Sequence, residues 1–440
     1  MAVGRLEKIK TRTGLGLPRV RAHRLVAQLW GTTTLTDCIV AFRHIISTNR
    51  RVQGPAIGAY EQAFARHVGV RYAHSFSSGR VALYGLLRAL GVGPGDEVLL
   101  QVPTHIVVAN AIRYVGARPV YVDCQLDTYN MDLDLAERRI TPKTKVLLLQ
   151  HTFGIPVDMD AALDLVRRHG LILIEDCVHA LGATFKGKQI GSFGHAAFFS
   201  TEETKIISST MGGMAVTDDP KLSQRLLRFQ SACPWPSGSL AIRYLLKLIM
   251  YHLFAQPYLH PYTRPVYMFL RRSPKTHLAP GATAGDEQRG GRPVHYEQRL
   301  SNAQAVLALR QLQRLEANLA HRRAIADAYQ TLLSEQGIHV PVPPPESVPA
   351  FVRYPIWVED RPTAMRIASP HAVLGQWFNT VLEESISPAH GDYQMGSCPR
   401  AAAAAEHLVN LPTHPRVKRR DVDLIVSAVA RAKSSKRGAA

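Results

Sequence analysis

Hydrophobic positions along the chain change their period several times, and the changes divide it. From about residue 54, short apolar runs bounded by turn formers alternate with helix-length stretches whose apolar residues fall three or four apart. That alternation predicts an α/β domain. Strands are expected at 97–101, 119–122, 145–149, 171–174, 196–200 and 213–217, and helices at 81–90 and 161–168. Val-Leu-Leu-Leu at 146–149 and Leu-Ile-Leu-Ile at 171–174 lack polar alternation. Such strands are buried on both faces, so the sheet is expected to be mostly parallel with helices on both sides.

The texture changes at 233–292. Residues 240–254 (LAIRYLLKLIMYHLF) read as an amphipathic helix with Arg243 and Lys247 on one face, and 280–292 as a Gly-rich mobile loop or linker. After it, 303–333 has one long helical pattern, and a smaller α+β region carries a strand at 352–358 and a last helix at 422–432. The expected division is 1–53 as a basic arm and helical segment, 54–232 as the large domain, 233–292 as a basic insertion, and 293–440 as a connecting helix and small C-terminal domain. No run is apolar for long enough to span a bilayer as a helix.

Composition adds little until charge is mapped. Hydrophobic residues make up 46% and charged residues 20% of 440, ordinary values for a globular protein. Lys and Arg total 53 against 34 acids, a net charge of +19. Residues 1–24, 240–275 and 416–437 carry nearly all of that excess, about +6 each. Basic stretches of this kind leave an anionic membrane surface open as a partner. Cys38, Cys124, Cys177, Cys233 and Cys398 are odd in number and widely spaced, with no zinc-ligand pattern. No metal site and no disulfide scaffold are expected, and a reducing cytoplasm fits, with peripheral contact at the inner membrane surface left open. No nucleic-acid-binding motif is visible.

Candidate chemistry concentrates in 173–218. Asp176 follows a buried strand, and ligands of open α/β sheets sit at the carboxyl ends of strands. Lys205 lies beyond another apolar strand, in a turn rich in Ser and Thr that leads to Gly212-Gly213. Hydroxyls, backbone amides and glycines can surround a phosphate, and a desolvated lysine can form a Schiff base. A lysine plus an aspartate for a pyridinium nitrogen is the partner set that pyridoxal 5'-phosphate (PLP) requires. Taken singly, a strand-end aspartate is more often a helix cap, and a lone lysine is more often a solvated charge.

Order and spacing of the motifs carry more. SSGRVALYGLLRALGVGPGDEVLL at 77–100, VGARPVYVD at 115–123, IEDCVHALGA at 174–183, FFSTEETK at 198–205, MGGMAVTDD at 211–219 and QRLSNAQAVLALRQLQRLE at 298–316 together resemble the DegT-like sugar-nucleotide aminotransferases. Those are PLP enzymes of the aspartate-aminotransferase fold. The resemblance implies a large PLP-binding domain with a mostly parallel central sheet, a smaller C-terminal α+β domain, and a homodimer with active sites at the subunit interface. It makes Lys205 the Schiff-base lysine and proton shuttle, and Asp176 the partner of the pyridinium nitrogen. His179 falls beside the cofactor ring, and His105 where a ring stacks on it; read alone, each could be an ordinary buried or loop histidine. Gly79, Arg80 and Ser200 match the phosphate-binding positions.

Three residues depart from the family pattern. Arg80 stands in place of Thr, Glu202 in place of His or Tyr, and Glu297 in place of an Asn that approaches the phosphate from the neighbouring subunit. A carboxylate beside a phosphate needs a cation, for which Arg80 and Arg299 are the sequence candidates. The activity implied is transfer of an amino group from an amino acid, L-glutamate, to a keto-sugar nucleotide. The alternative is a PLP-binding regulatory or scaffold protein with reduced catalysis, associated with a membrane surface.

Overall fold

The computed structural model describes residues 24–47, 49–271 and 285–437. Apart from Arg24, the basic arm expected at the N-terminus lies outside these residues, as do 280–284 of the Gly-rich stretch. Two helices precede the sheet. α1 (Leu35–Ile46) begins at a capping box between Thr34 and Asp37, and α2 (Ala56–Val68) ends at Gly69, whose φ of 81° makes the left-handed stop. β1 (Tyr72–Phe76) follows; its polar His74 and Ser75 hid it from the hydrophobic pattern. Next come α3 (Gly79–Ala89), β2 (Glu97–Gln101), the short β3 (Thr104–His105) and α4 (Ile106–Tyr114). The alternation continues through β4 (Arg118–Val122), α5 (Leu133–Arg138), β5 (Thr144–Gln150), α6 (Met159–His169) and β6 (Ile172–Asp176). A small hairpin, β7 (Thr184–Phe185) and β8 (Lys188–Gln189), leads to β9 (Ala196–Ser200) and β10 (Gly213–Thr217).

The main sheet has the order β1-β10-β9-β6-β5-β2-β4. From β9 to β4 neighbours run parallel, while β10 runs antiparallel between β9 and β1. Period-two alternation sends Leu147, Leu149 and Leu173 into the core with α2 and α6, and Val146, Leu148 and Ile174 into the core with α3 and α4. The same alternation separates two adjacent acids at the end of β6. Glu175, wholly buried, accepts hydrogen bonds from the backbone N–H groups of Gly191, Phe193 and Gly194 at 2.7–2.8 Å. Asp176 points to the opposite face, where a cleft opens.

Then come α7 (Pro220–Ala232), α8 (Gly238–Phe254), α9 (His260–Arg271) and α10 (Gly285–Gln288). α10 corrects the expectation of a loop throughout 280–292. It is held because Glu287 pairs with Arg80, and Asn110 Nδ2 donates to the Glu287 carbonyl at 2.8 Å. The helix expected at 303–333 is two helices, α11 (Asn302–Leu312) and α12 (Leu315–Glu335). No Gly or Pro marks the break; Arg314 leaves the helical region at φ −108°, ψ 11°, and its guanidinium reaches buried Asp37 at 2.7 Å. α8 is a packed helix: Leu245 and Leu248 join Cys38 and Ala41 of α1 over Ala303 and Leu307 of α11.

The C-terminal part adds β11 (Ser347–Val348), β12 (Tyr354–Trp357), α13 (Arg361–Ala368), β13 (Leu382–Glu383), α14 (Pro399–His407), β14 (Leu408–Leu411) and α15 (Arg419–Arg437). β12 and β14 pair antiparallel, and Tyr329, Ile356, Val409 and Ile425 pack a separate core beside them. The architecture is therefore a large α/β unit with a mostly parallel sheet and a smaller α+β unit. Several backbone contacts tie the second to the first, β11 pairing with β7 among them. β13 pairs parallel with β3, and Val26, near the start of the described chain, bridges to Ala372.

Replacing Glu175 by Ala strands three N–H donors at one turn, that of Gly191 buried and those of Phe193 and Gly194 partly buried, which should cost about 3 kcal/mol. Urea unfolding should show a lower midpoint with an unchanged slope. A midpoint equal to that of the parent protein would mean water substitutes for the carboxylate.

Candidate active site

At the carboxyl ends of β6 and β9 lies a cleft of about 390 Å³. Gly79, Arg80, His105, Asp176, His179, Ser200 and Lys205, drawn from six separate segments, all line it. The start of α3 contributes exposed dipole. Its cap residue Ser78 makes no side-chain cap bond, so the first N–H groups are not occupied by that hydroxyl. Close approach here depends on two glycines. A Cβ at Gly79 would lie 3.2 Å from Ser200 Cβ of β9, a tight contact, and one at Gly213 would lie 2.2 Å from Ser78 O, so β10 reaches the start of α3 only because Gly213 lacks a side chain.

Asp176 is 1% exposed, and Val178 N donates to its Oδ1 at 3.1 Å. Burial pushes its carboxyl up to about 7, against the opposing pull of that N–H and of the Lys205 and His105 charges. His179 accepts from Phe153 N at its Nδ1, 3.3 Å, which places the proton on Nε2. That Nε2 is buried and has no hydrogen-bond partner among the described residues. Burial, aided by the cations of Lys205 and Arg353, holds the ring well below the ordinary histidine range, so it is neutral. His105 caps α4 by accepting from Val107 N at 3.3 Å, and its Nε2 lies 3.5 Å from Glu384.

Lys205 Nζ stands 4.5 Å from the centre of the Trp377 ring. Burial lowers its amine to about 8, with Glu202 opposing and Arg353 assisting the shift. Its loop is pinned from behind by amides spaced seven residues apart. Gln304 Nε2 donates to Met211 O at 2.7 Å, Gln311 exchanges two bonds with the Ser208 backbone at 2.8 and 2.7 Å, and Asn318 Nδ2 donates to Ile206 O at 2.7 Å. Beneath the loop, Lys247 of α8 pairs with buried Glu203 at 2.8 Å.

Several lining residues escaped the sequence reading. Arg353 Cζ sits 4.3 Å over the same Trp377 ring, on the face of a side chain that also contacts the His179 ring at 4.5 Å. Arg353 is 5% exposed, and its Nε has no hydrogen-bond partner among the described residues. Glu384 holds φ at 60°, an uncommon conformation for a side-chain-bearing residue, at the cleft wall facing His105. Trp377 and Glu384 come from loops in the small unit, where no periodicity marks them, and Arg353 directly precedes β12, inside the strand expected at 352–358, whose pattern did not single it out. The spacing of Gln304, Gln311 and Asn318 was a readable signal, since polar amides two helical turns apart are wasted on an apolar face unless they bond something.

Two of the departures are resolved locally. Arg80 pairs with Glu287, so its cation is already engaged. Glu297 pairs with Arg292, and neither Arg80 nor Arg299 serves it; Arg299 instead donates to Gln230 O at 2.8 Å and lies over Trp235. Glu202 is met only in part: its Oε2 accepts from Thr204 N at 3.0 Å, while its Oε1 is buried with no hydrogen-bond partner among the described residues.

The donor set fits PLP. An orphaned imidazole N–H, a buried carboxylate, a lysine of lowered basicity and a glycine-opened helix start stand around one cavity of cofactor size. Comparison with known proteins agrees. GDP-perosamine synthase of Caulobacter vibrioides is 31% identical over 386 residues, covering 86% of this chain and 90% of that protein. The dTDP-3-amino-3,4,6-trideoxy-alpha-D-glucose transaminase of Streptomyces venezuelae is 29% identical, over 94% of this chain and 96% of that one. The crystal structure of S. venezuelae DesV in complex with a ketimine intermediate superposes with a TM-score of 0.70 at 28% identity, over 90% of this chain and 94% of its own. The sequence model of one family matches residues 35–234 and 276–430, leaving out 235–275, and with these matches the chain belongs to the DegT/DnrJ/EryC1/StrS aminotransferase family.

Proposed function

We propose that this protein is a PLP-dependent aminotransferase that moves an amino group from L-glutamate to the keto group of a nucleotide-linked sugar. One observation carries the reading: Lys205, Asp176, His179 and the uncapped start of α3 line a single buried cleft. PLP, when bound, supplies an electron sink for the pair left behind by a departing α-proton. The chain's own residues do the rest. The N–H groups of Gly79 and Arg80 and the Ser200 hydroxyl hold the phosphate. Asp176 keeps a proton on the pyridine nitrogen, His179 Nε2–H donates to the phenolic oxygen, and His105 packs against the ring. Lys205 Nζ, with its lowered basicity, accepts the donor's α-proton and holds it for return. Arg353, buried with an unused N–H in the same cleft, takes a donor carboxylate.

The acceptor class is supported by the names of the relatives, which are a GDP-sugar synthase and a dTDP-sugar transaminase. A catalytically reduced scaffold is less favoured, because two of the three charge departures that suggested it, Arg80 and Glu297, are met by Glu287 and Arg292. Active sites at the interface of a homodimer belong to the proposal, and sedimentation of the loaded enzyme as a monomer would remove that part.

Glutamate should bleach the visible absorption of the PLP-loaded protein and release 2-oxoglutarate when a nucleotide-linked ketosugar is supplied. Borohydride should fix the cofactor covalently in the parent and not in Lys205→Ala. No bleaching by glutamate, and no 2-oxoglutarate with any acceptor of a GDP-, UDP- and dTDP-ketosugar panel, would sink the proposal.

The rate of PLP uptake by apo-protein should rise with pH, because only the uncharged Lys205 amine attacks. With the amine lowered to about 8, the rise should be roughly tenfold per unit below pH 8 and level off above it. Asp176, pushed up to about 7, adds to the fall on the acid side because its neutral form no longer favours a ring proton. An inflection near the ordinary lysine value would contradict the burial argument.

Arg353→Met should raise KM for glutamate about thirtyfold, the loss of roughly 2 kcal/mol from a charge-assisted pair, with a much smaller change in kcat. A change confined to kcat would show that Arg353 acts on the lysine and not on the donor.

A further inference from the structure

The three basic stretches that lie far apart in sequence meet in space. Tyr258, in the turn between α8 and α9, has Arg24 Cζ 5.8 Å from its ring, and Arg420 Nη2 donates to its hydroxyl at 2.9 Å. Arg24 also pairs with Asp421 at 2.8 Å, and Lys418, Arg419 and Arg420 are exposed beside it. The chain N-terminal to this point holds six further cations and one acid, and 272–284, which follows α9, adds Arg272 and Lys275 and no acid.

Next to these cations the surface is apolar. α1 exposes Leu35, Ile39, Phe42 and Ile46, a stripe with the spacing of one helix face, with Phe42 56% and Ile46 67% exposed. α8, packed beside α1 on α11, exposes Leu246 and Leu253, and α9 exposes Tyr262, Val266 and Phe269, the last 75% exposed. A patch of this extent exceeds what isolated surface leucines explain. Acid is missing from it. Residues 24–53 and 233–275 contain one carboxylate, Asp37, which is buried against Arg310 and Arg314. The face is also rigid. Trp30 stacks on Tyr251 at 4.3 Å and 7°, His252 Nδ1 lies 2.9 Å from Thr33 O, and Lys247 is anchored by Glu203. Residues 235–275, which supply α8 and α9, are the part the family's sequence model does not match.

We propose that the outer face of α1, α8 and α9, with the cations gathered around Tyr258, seats on an anionic lipid bilayer. Apolar side chains enter the headgroup boundary while Arg43, Arg243 and the cluster at Arg420 meet lipid phosphates, the arrangement by which interfacial helices bind. A second copy of this chain fits less well, because a two-fold axis through the patch would set the same cations against one another. No helix among the described residues is long and apolar enough to cross a membrane, so the contact is peripheral.

The test uses the full-length, PLP-loaded protein and sedimentation with vesicles of phosphatidylcholine alone or with about 30% phosphatidylglycerol, the anionic fraction supplying the surface potential. Binding should be at least tenfold stronger to the anionic vesicles and should fall at about 0.5 M salt, where the screening length is a few ångströms. Phe42→Ser/Phe269→Ser should weaken it at least fivefold, and Arg243→Glu/Arg420→Glu should remove the preference for anionic lipid, both with unchanged circular dichroism and unchanged bleaching by glutamate. Absent or equal binding to the two vesicle types would overturn the proposal. So would a Phe42→Ser/Phe269→Ser protein that binds vesicles like the parent but sediments as a smaller oligomer, which would make this face a contact between copies.

Discussion

Withdrawal of water from four ionisable side chains in one cleft is the condition on which the rest of this structure depends. Asp176, His179, Lys205 and Arg353 all lose solvation there, and in each case burial is the largest cause of a shift toward the neutral form. Such a group is costly unless the surrounding structure holds it in place. The support comes from elements whose own chemistry is unremarkable: a strand whose alternation turns one of two adjacent acids away, three amides that grip a loop, and a glycine that lets a strand touch a helix start. Removing any of them leaves the charged groups present but unaligned.

Much of this was legible before any coordinates. The parallel sheet follows from unalternated apolar strands; the strand end and the Ser/Thr-rich turn make Asp176 and Lys205 candidates, and only the order of the motifs, through their resemblance to a family, gave them roles. Three things were not legible, for separate physical reasons. β1 carries His74 and Ser75 inside a strand that is polar because Ser75 serves Glu61 and His74 meets Ser223, partners more than ten residues away. Trp377 and Glu384 sit in irregular segments, where side-chain direction is set by tertiary contacts and not by a repeat, and Arg353, at the edge of β12, has nothing in the strand pattern to set it apart. The break at Arg314 has no helix breaker, and its cause is an ion pair with Asp37, far upstream.

The family pattern and this chain's departures from it are reconciled by pairing. Arg80 at the cleft and Glu297 outside its lining each introduce a charge, and each is matched by an opposite charge from 285–297, Glu287 in one case and Arg292 in the other. Both compensating residues follow the segment that the family's sequence model leaves unmatched. α8 supports the lysine loop from another side, since Lys247 pairs with Glu203 two positions before Lys205.

The bridge from Val26 to Ala372 joins nearly the first described residue to a position deep in the small unit, and Gln28 and Leu29 line the cleft immediately after it. Closing that contact requires almost the whole chain. Loops of such length are slow to close, and contacts between distant segments form late. During synthesis the sheet and the lysine loop can assemble while the opposite wall is still being made. In that order of assembly the cleft would stand as an open groove until Trp377 and Arg353 complete its far wall.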